Sequence, residues 1–179
     1  MARQALYLGL IFMLTILPPC VSIQAYNLPL SGDVPAEVYF SPNGGCTDAI
    51  LNWILKSNSE ILVQAYSFQS SSINQALLEA HKRGVKVQII LDKSERSEGF
   101  TPAAQLANAG IPIYLDGIHA VANNRIIIID KEVVITGSFN FNKASEEMNA
   151  ENLLILKSKD LSTIYRNNWI SHQKHSEPY

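Results

Sequence analysis

The residues best suited to chemistry lie between His119 and Asn152. Asn123 and Arg125 are two apart, so on an extended strand their side chains share a face, roughly 7 Å apart along the chain. Gly137 permits a tight turn and a close backbone approach to a ligand. Ser138 and Asn140 follow, again two apart, and Glu151 stands just before another apolar run. Arg125 supplies a fixed positive charge with a planar fork of donors, suited to phosphate or carboxylate. Ser138 and Asn140 supply neutral donors and Glu151 a carboxylate. Asp130 is seven residues from Asn123, an odd number, so a regular strand turns it to the opposite face. A structural role in a hairpin suits it better. Lys143 follows the constellation and reads either as added positive charge or as a plain surface lysine.

The strands and helices that would position these groups alternate along the chain. Strands are expected at 37–41, 61–68, 85–91, 111–115, 125–129, 133–136 and 152–156. Helices are expected from a cap at Thr47 or Asp48 to about Ser57, and at 72–83, 101–109, 142–148 and 160–171. Asp130-Lys131-Glu132 turns a hairpin between two of the strands. Apolar strands separated by amphipathic helices imply an α/β fold: one domain, a mixed β-sheet with helices on both faces. Phe139 and Phe141 flank Asn140; packing beneath the loop suits them better than stacking on bases.

Composition bounds the rest. The 179 residues are 47% hydrophobic and 17% charged, enough for one core. Arg3 is the only charge before residue 26, and an apolar run, Leu6 to Leu17, follows it. Pro18, Pro19 and Cys20 break the run, and Ser22 or Ala25 offers a cleavage site. This is the layout of a secretory signal peptide over 1–25. The run is too short for a bilayer, which needs about 20 residues. Residues 26–35 read as a linker, 36–172 as the domain and 173–179 as a tail. Cleavage would take the net charge from −2 to −3 by removing Arg3. A protein that wraps nucleic acid is usually strongly basic, so any such contact here is local. Cleavage would also leave Cys46 alone, which bars an intrachain disulfide and suits a small core residue.

The stretch resembles the phospholipase D superfamily, whose motif is His-x-Lys-x4-Asp-x6-Gly-Ser-x-Asn. Here it reads Asn123-x-Arg125-x4-Asp130-x6-Gly137-Ser138-x-Asn140, with every spacing intact. The continuation through Glu146-Glu147 to Glu151-Asn152 is similar to the small bacterial endonuclease branch, with one motif per chain and a site assembled from two. The resemblance implies a phosphodiesterase of nucleic acid or phospholipid that needs no cofactor and no metal. It implies a homodimer with the site at the interface. Asn123 falls where the family has the histidine that attacks phosphorus, and Arg125 where it has the phosphate-binding lysine. Ser138 and Asn140 match residues that hold phosphate, Glu151 a carboxylate that orients the histidine, and Asp130 the motif aspartate.

The departure at Asn123 bears on mechanism. A carboxamide nitrogen is neither nucleophile nor base near neutral pH. With that group gone, Glu151 would hydrogen-bond the Asn123 amide instead. His119, four residues earlier, would lie about 13 Å away on a strand. His81 reads as a solvated helix residue, and His172 and His175 as part of a frayed tail. None of these histidines has metal-ligand spacing. Three readings stay open: a phosphodiesterase, a secreted or periplasmic binding protein that holds phosphodiesters without cutting them, and an inactivated variant of an active endonuclease.

Overall fold

The computed structural model describes residues 34–96 and 101–179; the expected signal peptide and most of the expected linker lie outside them. Eight strands form one mixed sheet in the order β1-β7-β6-β5-β2-β3-β4-β8. β2 (Glu60–Ala65), β3 (Lys86–Asp92) and β4 (Ile113–Asp116) run parallel through helical crossovers. β5 (Arg125–Ile129) and β6 (Val133–Gly137) form the expected hairpin. β5 lies antiparallel against β2, and β7 (Asn152–Lys157) joins β6 to β1 (Ala36–Phe40).

One face carries α1 (Cys46–Lys56), α2 (Ser71–Lys82) and α3 (Pro102–Asn108) over the larger core. α5 (Lys159–His175) lies on the other, where Trp169 packs with Leu62, Ile90, Ile126 and Ile128. Alternation along β5 explains this. Ile126 and Ile128 face α5, while Ile127 and Ile129 face the larger core. The expected α/β sheet with helices on both faces is what the chain forms.

Two helix ends differ from expectation. α1 begins at Cys46, not at a Thr47 or Asp48 cap, and Gly45 precedes it in the left-handed region. Its first amides are instead satisfied from far along the chain. Glu146, in the short α4 (Lys143–Glu147), accepts from the Gly45 and Thr47 amides at 3.1 and 2.7 Å. A carboxylate there also complements the helix dipole. At the other end of the chain, the expected frayed tail is ordered. α5 continues to His175, and β8 (Glu177–Pro178) pairs with β4. Short polar runs such as 172–178 carry little periodic signal; tertiary pairing supplies the order. Cys46 is fully buried, and burial pushes its thiol up to about 11, which makes it the core residue expected.

Candidate active site

The C-terminal ends of β2, β3 and β4 and of antiparallel β6 share one edge of the sheet with the starts of β5 and β7. Open α/β sheets bind ligands beyond this edge. Arg125 opens β5 there. Ser138 and Asn140 follow β6, and Glu151 precedes β7.

Arg125, Ser138 and Asn140 supply hydrogen-bond donors at this edge. Arg125 Nε donates to Asn140 Oδ1 at 2.7 Å, and Arg125 Nη1 to the Asn123 carbonyl at 3.2 Å. These bonds fix the guanidinium plane and leave further N–H groups for a ligand. No ion pair among the described residues involves Arg125. Ser138 Oγ accepts from the Asn152 backbone and side-chain nitrogens at 3.1 and 3.3 Å, so its own proton is left to donate outward. Asn140 gives its oxygen to Arg125, which leaves its NH₂ pointing its donors elsewhere. The result is a set of hydrogen-bond donors with a net positive charge, suited to a phosphate.

Gly137 makes the turn into Ser138 possible. Its φ is 148°, and a Cβ there would sit 2.2 Å from the Asn152 carbonyl oxygen. Phe139 and Phe141 are fully buried beneath the loop, with Phe141 edge-on to Phe68; they pack, as expected, and present no face to a base.

Asn123 is exposed in the irregular segment 117–124. That segment is held at several points. Asp92 accepts from the Ala122 amide at 2.7 Å, Lys93 Nζ donates to the His119 carbonyl at 2.8 Å, and the Tyr66 amide donates to the Asn124 carbonyl at 2.9 Å. Burial works against ionisation of Asp92, but its bonds from Ser94 and Ala122 outweigh it and hold the carboxyl below the usual range.

Two of the sequence-derived residues do not join Arg125. Asp130 lies at the opposite end of β5, roughly 16 Å along the strand. Its carboxylate accepts from the Asn58, Ser59 and Glu60 amides at 2.8–3.0 Å and from the Ser59 hydroxyl. It staples the hairpin to the start of β2, the structural role its odd spacing implies. Glu151 does not bond Asn123, contrary to expectation. Its Oε1 accepts from Ser145 Oγ and Asn149 Nδ2 at 3.4 and 3.3 Å. The turn before β7 is tied to β1 through Ser41, which aims the carboxylate at α4. Lys143 is a surface residue 3.6 Å from Glu147. A cleft of about 460 Å³ nearby, lined by Asp48, Glu146 and Glu147 among others, includes none of the motif residues, and its carboxylates disfavour an anion.

The histidines depart most from expectation. His119 does not lie on a strand; it folds back so that Nδ1 is 2.9 Å from Asp116 Oδ1. His172 and His175, on the last turn of α5, reach the same carboxylate. Both pairs, 116/119 and 172/175, are three apart, and the second puts its residues on one helix face. That spacing is a signal the sequence carries; the fold that joins the pairs is not.

Comparison with known proteins identifies the family of this chain. The family model described as cardiolipin synthase, PLD-like domain, matches residues 50–172. A phospholipase D of Rickettsia conorii is 39% identical over 84% of this chain and 76% of its own length. A mitochondrial cardiolipin hydrolase of Canis lupus familiaris is 26% identical over 73% of this chain and 56% of its own. Among solved structures, Nuc of Salmonella typhimurium, a phospholipase D family member, superposes with a TM-score of 0.76 at 32% identity, covering 82% of this chain and 99% of Nuc. NucT of Helicobacter pylori gives 0.75 at 19% identity, a likeness of fold. The chain belongs to the phospholipase D superfamily, in its Nuc-like branch.

Proposed function

We propose that this chain binds the phosphate of a phosphodiester, in nucleic acid or a phospholipid head group, and does not cleave it as it stands. The carrying observation is Asn123 at the position of the family's nucleophile. Arg125, Ser138 and Asn140 keep the donors for a phosphate, while the amide nitrogen at 123 has its lone pair delocalised into the carbonyl and does not attack phosphorus. The ring of His119 bonds Asp116 through Nδ1 and makes no hydrogen bond to Arg125, Ser138 or Asn140. Donors that stabilise a transition state do not start one. Loss of the nucleophile from a catalytic unit costs on the order of 10⁶ in kcat in a well-studied protease.

The test is hydrolysis of a chromogenic phosphodiester and of plasmid DNA by the purified chain and its Asn123→His, Arg125→Lys double variant. The double variant is expected to gain activity by several orders of magnitude. Turnover by the unaltered chain within about tenfold of it would sink the reading.

The proposed assembly is a homodimer about a two-fold axis, since one motif supplies half of a site. Ile118 and Val121, in the segment leading to Asn123, and Met148 near Glu151 are exposed apolar residues at the motif edge. A second copy of the chain is their natural cover. We also place the mature protein outside the cytoplasm, secreted or periplasmic. The support is the charge, apolar run and small-residue order of residues 1–25. Among the described residues no helix is long and apolar enough to cross a membrane. N-terminal sequencing of exported protein should find a start near residue 23 or 26; an intact Met1 or Ala2 would refute cleavage.

A further inference from the structure

Asp116 ends β4 with its side chain fully buried. His172 Nδ1 lies 2.7 Å and His175 Nε2 3.5 Å from its Oδ2, and His119 Nδ1 is 2.9 and 3.0 Å from Oδ1 and Oδ2. One ligand atom from each of the four lies within 4.8 Å of every other. The ring centroids are 5.0–5.3 Å apart. A single buried carboxylate is a poor reason to collect three imidazoles. It has two oxygens, and rings so close repel one another once two are protonated.

We propose that Asp116, His119, His172 and His175 form a binding site for a divalent transition-metal ion, with zinc the best fit. The four donors are three imidazole nitrogens and one carboxylate oxygen, with no thiolate, a set that suits zinc and its neighbours rather than magnesium or calcium. Tetrahedral zinc, with bonds of about 2.0–2.1 Å, separates its donors by roughly 3.4 Å. The His–Asp separations of 2.7–3.5 Å bracket that value. The remaining contraction falls within reach of side-chain rotation, because His119 and His175 are 43% and 31% exposed. On binding, the ion takes the lone pairs of His119 Nδ1, His172 Nδ1 and His175 Nε2, and each ring then carries its one proton on its other nitrogen. A neutral ring that had donated to Asp116 shifts that proton to the other nitrogen through solvent, and a protonated ring releases one proton. The ion would carry four protein ligands and no open position, the pattern of a structural site. It would tie the end of α5 to the end of β4 and fix the segment 117–124 that presents Asn123. The site is distinct from the phosphate donors, and it stands or falls without the proposed function.

The test uses the full chain stripped with a chelator and titrated with zinc chloride by calorimetry. One zinc per chain is expected, with a higher thermal midpoint and slower amide hydrogen exchange over 117–124. Loss of partners one shell further out costs about 10–100-fold in affinity, so His175→Gln and His119→Gln should each weaken binding by at least about 100-fold. Both residues are part-exposed, so the variants keep the fold, and His81→Gln should bind as the unaltered chain does. Cobalt in place of zinc should show the strong visible bands of tetrahedral coordination. Failure to take up zinc, equal binding by His175→Gln, or an equal response to magnesium would overturn the proposal.

Discussion

At the scale of single residues, the proposed function rests on Arg125 for binding and on Asn123 for the loss of chemistry. Arg125 brings charge without a nucleophile, and its Nε is already committed to Asn140. In the proposed dimer, two guanidiniums face one anion, and their attraction weakens as salt shortens the Debye length to about 8–10 Å. Affinity for a short phosphodiester, measured by fluorescence anisotropy, should therefore fall with rising salt. Arg125→Lys should keep most of it and Arg125→Ala lose about tenfold or more, as a charge-assisted bond of about 1.5–3 kcal/mol implies. Equal affinity for a neutral analogue would contradict the assignment. These positions are legible in the sequence through the motif's spacing, although Asn123 and Arg125 depart from its residue types. Asp116 is not. Its partners His172 and His175 lie at the far end of the chain, and no local pattern reports that β4 and α5 end side by side.

At the scale of elements, the β5–β6 hairpin is held from its turn. Asp130 has φ 52° and Lys131 φ 57°, so the turn residues sit in the left-handed region. The Asp130 carboxylate then receives three backbone amides and a hydroxyl from Asn58, Ser59 and Glu60, where the chain enters β2. Burial opposes its ionisation, but the bonds from Glu60, Ser59 and Asn58 outweigh burial and hold its carboxyl below the usual range. The sign follows: the folded carboxyl titrates lower than the unfolded one, near about 3.9. Its contribution is therefore fully present above that value and is lost as pH falls through the folded one. Asp130→Asn turns an NH₂ toward backbone N–H groups and should cost about 2 kcal/mol at neutral pH. The gap between the denaturant midpoints of the two proteins should be widest at neutral pH and narrow as pH falls below about 3.9; an unchanged gap would refute the role. The odd spacing of Asp130 from Asn123 already points to this. The α1 cap is harder to read, since local Thr47 and Asp48 are both plausible caps and the true acceptor, Glu146, comes from α4.

At the scale of the whole molecule, the layers follow from composition and periodicity, while the joins between distant segments do not. Seven strands and five helices fall close to where the sequence places them, because apolar runs mark buried strands and period-3.6 stripes mark helices. β8 escapes, being two residues paired only through β4. The exposed Ile118 and Val121 bear on assembly. Val121→Asp with Ile118→Asp should turn a dimer into a monomer in sedimentation at micromolar concentration, and an unaltered chain that is already monomeric would count against pairing. The strand order carries one more consequence. β2 is buried along its whole length between β3 and β5, and Ile61 pairs with Ile129 while Val63 pairs with Ile127. During synthesis β2, which ends at Ala65, emerges 60 residues before β5, which begins at Arg125. Until β5 arrives, this apolar strand has a bare edge, and bare apolar edges recruit strands from other molecules. The order of synthesis thus leaves this chain an interval in which β2 is open to pairing with other chains until its antiparallel partner follows.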